Sequence, residues 1–214
     1  MAFLGNILGP GRRRPIARRA ADDGYTCSPV LTESEVTLSP DEIVLNLDAN
    51  NRQQAIERVA NLLAAARNLD AALVFRALWR REQAGSTALG KGIAIPHARV
   101  AGITTPAVLF ARTGKPIEFR APDGNPVFML YVMLVPADGQ AEDHLRRLAM
   151  VAQTFSDSAL RKSLASLSDP SAIQRAFADA ESRMSIAKAT QFHGKTDAIV
   201  ISPPDKQRGA ARLI

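Results

Sequence analysis

Gly85-Ser86-Thr87-Ala88-Leu89-Gly90-Lys91-Gly92-Ile93-Ala94-Ile95-Pro96-His97-Ala98-Arg99 starts as a loop of small residues, tightens into a short apolar run and ends on a proline directly before a histidine. The Pro96 ring fixes its own φ and biases Ile95 toward extended backbone. The stretch therefore predicts a single imidazole held at a strand end. A neutral imidazole is a competent nucleophile toward phosphorus, and its pKa lets it titrate in the physiological range. Ser86 and Thr87 offer hydroxyls to phosphate oxygens. Gly90 and Gly92 allow backbone amides to approach an anion closely, and Arg81 and Lys91 are placed to offset its charge. His97 is thus a candidate for carrying a phosphoryl group. Each sign is weak alone. Pro-His at a strand end is more often structural than catalytic, and Gly-Lys-Gly lacks the spacing of a phosphate-binding P-loop.

The flanks predict an α/β body. Ile43 to Leu47 is a short β-prone run. The Asp48-Ala49-Asn50-Asn51 segment offers an N-cap, with Gln53 and Gln54 placed for a capping box. Ala55, Ile56, Val59, Ala60, Leu62, Leu63 and Ala66 then recur at helical spacing. A second helix from about Asp70 to Gln83 buries Leu73, Val74, Ala77 and Leu78, with its arginines crowded toward the C-terminal end, where cations suit the dipole. Gly85 stops it. Beyond the opening stretch, Ala107 to Arg112 reads as a strand and Ile117 to Phe119 as a shorter one, set off by Gly114 and Pro116. Val127 to Val135 is almost continuously apolar, as a strand covered on both faces is. Helices are predicted from about Ala141 (Leu145, Leu148, Ala149, Val151, Ala152, Phe155), from Ser158 to Leu167, and from Asp169-Pro170 through Ala180. The strands lie too close in sequence for helical crossovers between all of them, so a mixed sheet with helices on its faces is expected, with ligands at strand ends.

Three segments follow: a basic extension over 1–37, a folded domain over 38–183 and a polar tail over 184–214, with both arms expected to be disordered. The chain of 214 residues carries a net charge of +6, but the central segment is nearly balanced, which argues against nucleic-acid binding through the body. Arg12, Arg13, Arg14, Arg18 and Arg19 make a local basic cluster, read as a solvated arm. Aromatic residues are 5% of the chain, so an aliphatic core is expected. No apolar run is long enough for a membrane span, and the N-terminal apolar residues precede the arginines, the wrong order for a secretory signal. The expected location is the cytoplasm. The one cysteine, Cys27, excludes an intrachain disulfide.

Histidine is scarce. His193 falls in the expected tail. His144 stands at a helix start after Glu142 and Asp143, either of which would favour its protonated form; in isolation it reads as surface decoration. No His-x-x-x-His or equivalent spacing supports a metal site.

Taken together, Glu82, Leu89-Gly90 and Ile93-Ala94-Ile95-Pro96-His97-Ala98 resemble the phosphohistidine signature of type-2 enzyme IIA proteins of the bacterial phosphoenolpyruvate-dependent phosphotransferase system, the mannitol/fructose class. Arg81 through Thr87 resembles the segment before that signature. Leu134-Val135-Pro136-Ala137-Asp138, followed by His144-Leu145-Arg146-Arg147-Leu148, resembles the family's second conserved segment. The similarity spans about Leu38 to Ala180 and is nearest to the nitrogen-regulatory IIA proteins. It implies a five-stranded mixed sheet flanked by helices, and phosphorylation of His97 by an HPr-like carrier of the NPr type. Carried over by position, it implies that His144 orients or stabilises the phosphoryl group, that Arg81 is the active-site arginine, and that Ser86 and Thr87 line the pocket, with no cofactor and no metal. Ala98 stands where many relatives have glycine. The resemblance leaves open a regulatory target, a separate IIB and membrane permease, or a binding module that is never phosphorylated.

Overall fold

The computed structural model describes residues 38–193, with side chains through residue 184. A 3-10 turn at Pro40–Glu42 leads into β1 (Ile43–Leu47), followed by α1 (Arg52–Arg67) and α2 (Ala71–Ala84). Four strands follow: β2 (Ala88–Gly90), β3 (Ile93–Ala94), β4 (His97–Val100) and β5 (Ala107–Ile117), the longest. Then come β6 (Val127–Pro136), α3 (Ala141–Thr154), α4 (Ser158–Ser166) and α5 (Pro170–His193). Three helix starts are capped by side chains, the one at Asn51 within the segment that the sequence offers as an N-cap. Asn51, Asp70 and Asp157 each accept a backbone N–H of the first turn, and such caps are worth about 1 kcal/mol apiece. The capping box at α1 is split between neighbours: Gln54 reaches back to the Asn50 amide while Asn51 takes the Gln54 amide.

The sheet is mixed. β1 runs parallel to β5, β5 antiparallel to β6, β6 parallel to both β3 and β4, and β3 antiparallel to β2. Its six strands fill five lanes, because β3 and β4 share one. β3 pairs with Met129 and Leu130, β4 with Met133 to Pro136, and Ile95-Pro96 interrupts the lane between them. Proline cannot donate to a ladder, so the lane breaks there. Across the gap the Met133 amide still donates to the Pro96 carbonyl at 3.0 Å, which keeps β4 aligned.

Alternation along the two long strands sorts the core onto two faces. Leu109, Ala111, Leu130, Val132 and Leu134 pack with Ile56, Val59, Leu63, Val74 and Leu78 of α1 and α2. Val108, Phe110, Met129, Tyr131 and Met133 pack with Phe155, Leu160, Leu164, Ile173 and Phe177 of the C-terminal helices and their junctions. The first face is mainly aliphatic, with Phe119 its one fully buried aromatic. On the second, Phe110, Tyr131, Phe155 and Phe177 form an aromatic cluster with ring centroids 5.4–5.9 Å apart; the few aromatics are concentrated rather than absent.

Four expectations are corrected. Ala107 to Ile117 is one strand, not two: a register shift between Arg112 and Ile117 gives Gly114 and Pro116 a bulge in which no ladder bond is demanded of the proline. Leu62 and Ala66 of α1 face solvent, and Ala64 is buried instead. Leu145 is 64% exposed rather than core, because α3 turns His144 inward and its neighbour outward. Finally, α5 continues to His193, past Ala180 and into the segment expected to be a disordered tail. Its sequence has no strong breaker until Gly194, so loss of apolar period marks where packing weakens and not where the helix stops. Residues 1–37, with the arginine cluster and Cys27, and residues 194–214 lie outside the described residues.

Candidate active site at the strand break

His97 opens β4 at the break in its lane, 8% exposed. Two layers reach it. From α2, Arg81 donates its Nε–H to Nε2 of His97 at 3.0 Å. From α3, the ring of His144 lies 5.3 Å away, centroid to centroid, tilted by 52°. On the other edge of the imidazole, Nδ1 is 2.7 Å from the Ile95 carbonyl oxygen. These partners settle the tautomer. A carbonyl can only accept, so Nδ1 carries the proton. A guanidinium can only donate, so Nε2 holds the lone pair. The Ile95 carbonyl is free for this because the proline after it has ended β3.

The electrostatics favour the neutral form of both rings. Burial pushes the His97 pKa down from 6.5 to about 4, with the Arg81 and His144 charges acting the same way and the Ile95 hydrogen bond opposing them. His144 is lowered as well, by burial and then by Arg99 and Arg81. Its Nδ1 is buried without a hydrogen-bond partner, an unusual state for a buried polar atom. A neutral imidazole with its lone pair beside a guanidinium can attack an electrophile, and the neighbouring His144 ring carries a buried nitrogen without a partner.

Of the residues singled out from sequence, Arg81, His97 and His144 come together. The hydroxyl protons of Ser86 and Thr87 are committed elsewhere. Ser86 Oγ donates to the Phe119 carbonyl and accepts the Ala88 amide, and Thr87 Oγ1 donates to Glu82 at 2.5 Å. The glycines form no anion cradle at His97. Gly90, Lys91 and Gly92 all have positive φ and make the turn between β2 and β3, at the far end of the lane, roughly 17 Å of extended chain from His97. The Lys91 amide there donates to Asp123 at 2.6 Å.

Two contributors were not singled out from sequence, and a third, Glu82, was named in the signature without a role and is discussed below. The Ile95 carbonyl is backbone and leaves no side-chain signal. Arg99 has a signal: it lies two residues from His97, on the same side of β4. It donates from Nη2 to the Gly139 carbonyl, fastening the loop that leads into α3 and so to His144. Arg81 also caps its own helix, donating from Nη1 to the Gly85 carbonyl at 2.9 Å.

Comparison with known proteins shows the family and the fold. The family model "Phosphoenolpyruvate-dependent sugar phosphotransferase system, EIIA 2" matches residues 37–180. The nitrogen regulatory protein of Pseudomonas aeruginosa is 34% identical over 148 residues, covering 69% of this chain and 96% of that one. That of Bradyrhizobium diazoefficiens is 35% identical over 136 residues, 64% of this chain and 88% of its own. Among solved structures, the nitrogen regulatory protein IIA-Ntr from Neisseria meningitidis superposes with a TM-score of 0.62 at 36% identity, over 66% of this chain and 96% of that one. The mannitol IIA of Escherichia coli shares the fold, with a TM-score of 0.57 at 17% identity over 65% and 98% of the two chains.

Proposed function

We propose that this chain, which belongs to the EIIA 2 family of the phosphoenolpyruvate-dependent sugar phosphotransferase system, is a phosphoryl carrier in which Nε2 of His97 accepts a phosphoryl group from the phosphohistidine of an HPr-like protein of the NPr type. The observation that carries the reading is the pair of hydrogen bonds, Arg81 on Nε2 and Ile95 on Nδ1, that leaves a buried neutral ring with its lone pair on Nε2. In the transfer, that lone pair forms the new P–N bond while the donor's P–N bond breaks and its electron pair returns to the donor imidazole. Nδ1 keeps its proton throughout.

Arg81 moves its Nε–H from the ring nitrogen to a phosphoryl oxygen, where the charge it stabilises develops. His144 turns its unpartnered nitrogen edge to the same group. Ser86 and Thr87 act from the wall of the pocket, shaping the loop between α2 and β2. Positioning and fixed donors are enough for this chemistry, and no metal or nucleotide is needed. The reaction is a cytoplasmic one between soluble partners; no helix among the described residues is long and apolar enough to cross a membrane.

The nitrogen regulatory relatives support a regulatory role, in which target proteins read the phosphorylation state of His97. One observation favours a second reading. A Haloferax volcanii protein named fructose-specific EIIA component is 34% identical over 147 residues, 94% of its length, which supports onward transfer to a separate IIB.

The test is incubation with phosphoenolpyruvate, enzyme I and an HPr-type carrier. The expected product is an acid-labile, base-stable phosphate that is absent in His97→Ala. No label on the wild-type protein overturns the reading. A binding module that is never phosphorylated would show no label and keep its partner in His97→Ala. Discharge of the label by a IIB protein would select the second reading over the first.

A further inference from the structure

The transfer step leaves Glu82 without a part, yet it is the one buried carboxylate among the described residues, 1% exposed. Its Oε1 accepts from Arg52 Nη1 at 3.0 Å. Its Oε2 accepts twice from a single residue, from the Thr87 amide at 2.8 Å and the Thr87 hydroxyl at 2.5 Å. Arg52 is held in turn, with its guanidinium 5.5 Å from the centre of the Trp79 ring. A buried ion pair adds little net stability, since desolvation consumes most of its Coulomb gain. What it does supply here is a fixed position for Thr87.

Thr87 leads onward to the active ring. Its carbonyl accepts the Ile95 amide at 2.9 Å, just outside the ends of β2 and β3, where no regular ladder would hold Ile95. The carbonyl of that same Ile95 takes the Nδ1 proton of His97. Arg81 and Glu82 are consecutive in α2, so one helix end governs both edges of the imidazole. Arg81 touches Nε2 directly, and Glu82 acts on the Nδ1 side through Thr87 and Ile95.

We infer that Glu82 is a positioning residue: by clamping Thr87 it holds the Ile95 carbonyl where it must accept the Nδ1 proton, and so decides which nitrogen of His97 is free to be phosphorylated. The inference rests on the reading of His97 as the nucleophile. Once the clamp is loosened, the Ile95 carbonyl drifts and the proton can sit on Nε2. The Arg81 hydrogen bond is then lost, and the lone pair moves to Nδ1, facing the wrong way.

The experiment uses the full chain labelled with 15N-histidine. Long-range 1H–15N spectra at neutral pH report the His97 tautomer before any phosphorylation. The wild type is expected to show the Nδ1–H form alone. Glu82→Gln and Thr87→Val are expected to show a mixture with the Nε2–H form, transfer slowed about tenfold, and some Nδ1-phosphohistidine by 31P NMR. Thr87→Ser keeps the hydroxyl and is expected to restore the single tautomer and the single Nε2 isomer. A purely structural Glu82 would lower the melting temperature and leave tautomer and isomer unchanged; that result in Thr87→Val overturns the inference. Thr87→Val preserves side-chain shape, so it decides the matter if Glu82→Gln fails to fold. A wild type that takes no phosphate overturns the carrier reading instead, and the tautomer spectra still decide for or against the clamp.

Discussion

The short strand β3 is flanked by two stretches that behave oppositely in the fold. At one end Gly90, Lys91 and Gly92 turn the chain through left-handed backbone, closed by the Asp123 carboxylate on the Lys91 amide and by the Phe128 ring against Gly92. At the other, Pro96 stops the ladder and releases the Ile95 carbonyl onto His97. The glycine end is rich in flexible amides and carries a lysine, the features expected of an anion site, yet its amide and its space are already taken. The proline end has few donors of its own and draws them from α2 and α3. A reactive group is better placed where regular pairing is interrupted and neighbouring layers can reach in than where the backbone is merely permissive.

The glycine end is therefore expected to answer to stability and the proline end to chemistry. The largest effect is predicted for Gly92→Ala. An added Cβ would stand 2.1 Å from the Phe128 ring, at a φ of +79°, and overpacking with left-handed strain costs about 2–4 kcal/mol. Denaturant unfolding should show that loss, while the protein that remains folded keeps the His97 tautomer. A Gly92→Ala variant of full stability would mean that the turn is not the packed device described here. Arg81→Ala should do the reverse. Transfer falls by about a hundredfold, near 2.7 kcal/mol at the transition state, with little change in unfolding midpoint. The His97 pKa should also rise, since the Arg81 charge helps to hold it down. A variant that transfers at the wild-type rate removes Arg81 from the site.

Acid should separate the two ends as well. His97 is lowered from 6.5 to about 4 by burial first and by Arg81 and His144. The unfolded chain therefore takes up a proton in this window that the folded chain refuses. Stability from this group is complete above pH 6.5 and is lost as pH falls toward 4, by about 2 kcal/mol after allowance for solvent screening. Urea unfolding across that window should show the decline, and His97→Ala should flatten it. The neutral nucleophile persists through the same window, so the acid limb of the transfer rate should lie near pH 4. A limb near 6.5 would show that the ring is solvated. Asp123, at the glycine end, is held below the usual carboxylate range chiefly by the Lys91 amide, then by Asn125, and it is fully exposed, so it should contribute only at lower pH.

Much of this was legible in the sequence, for physical reasons that differ by element. The run from Val127 to Val135 could only be a strand covered on both faces. Asp169 before Pro170 caps its helix as a short acidic side chain does, accepting the Ser171 and Ala172 amides. The family resemblance singled out Arg81 and His97 as residues of the site but not the bond between them. Legibility failed where the partner is distant in the chain. Nothing near Gly92 announces Phe128, and nothing near Thr87 says that its hydroxyl belongs to Glu82 rather than to a phosphate. The Ile95 carbonyl could not be singled out, because every residue has one and only the fold says which is released. Leu145 was misread for a different reason: on a helix that places His144 inward, an apolar neighbour signals something other than core. It is left 64% exposed, next in sequence to His144.

The smallest effect returns to Lys91, the cation that the sequence offered as a counter-charge for phosphate. Its backbone is left-handed, with φ at 56°, a region that costs a side-chain-bearing residue roughly 1–2 kcal/mol and costs glycine nothing. Glycine gives back part of that gain through the greater entropy of its unfolded chain. Lys91→Gly should therefore raise stability by about 0.5 kcal/mol, a shift of one or two degrees in melting temperature. Its amide still reaches Asp123, and transfer to His97 should stay within about twofold of wild type, since an exposed charge roughly 17 Å away is beyond one screening length. If transfer instead drops tenfold while stability rises, the lysine charge is felt at the imidazole after all, and the two ends of β3 form one site rather than two.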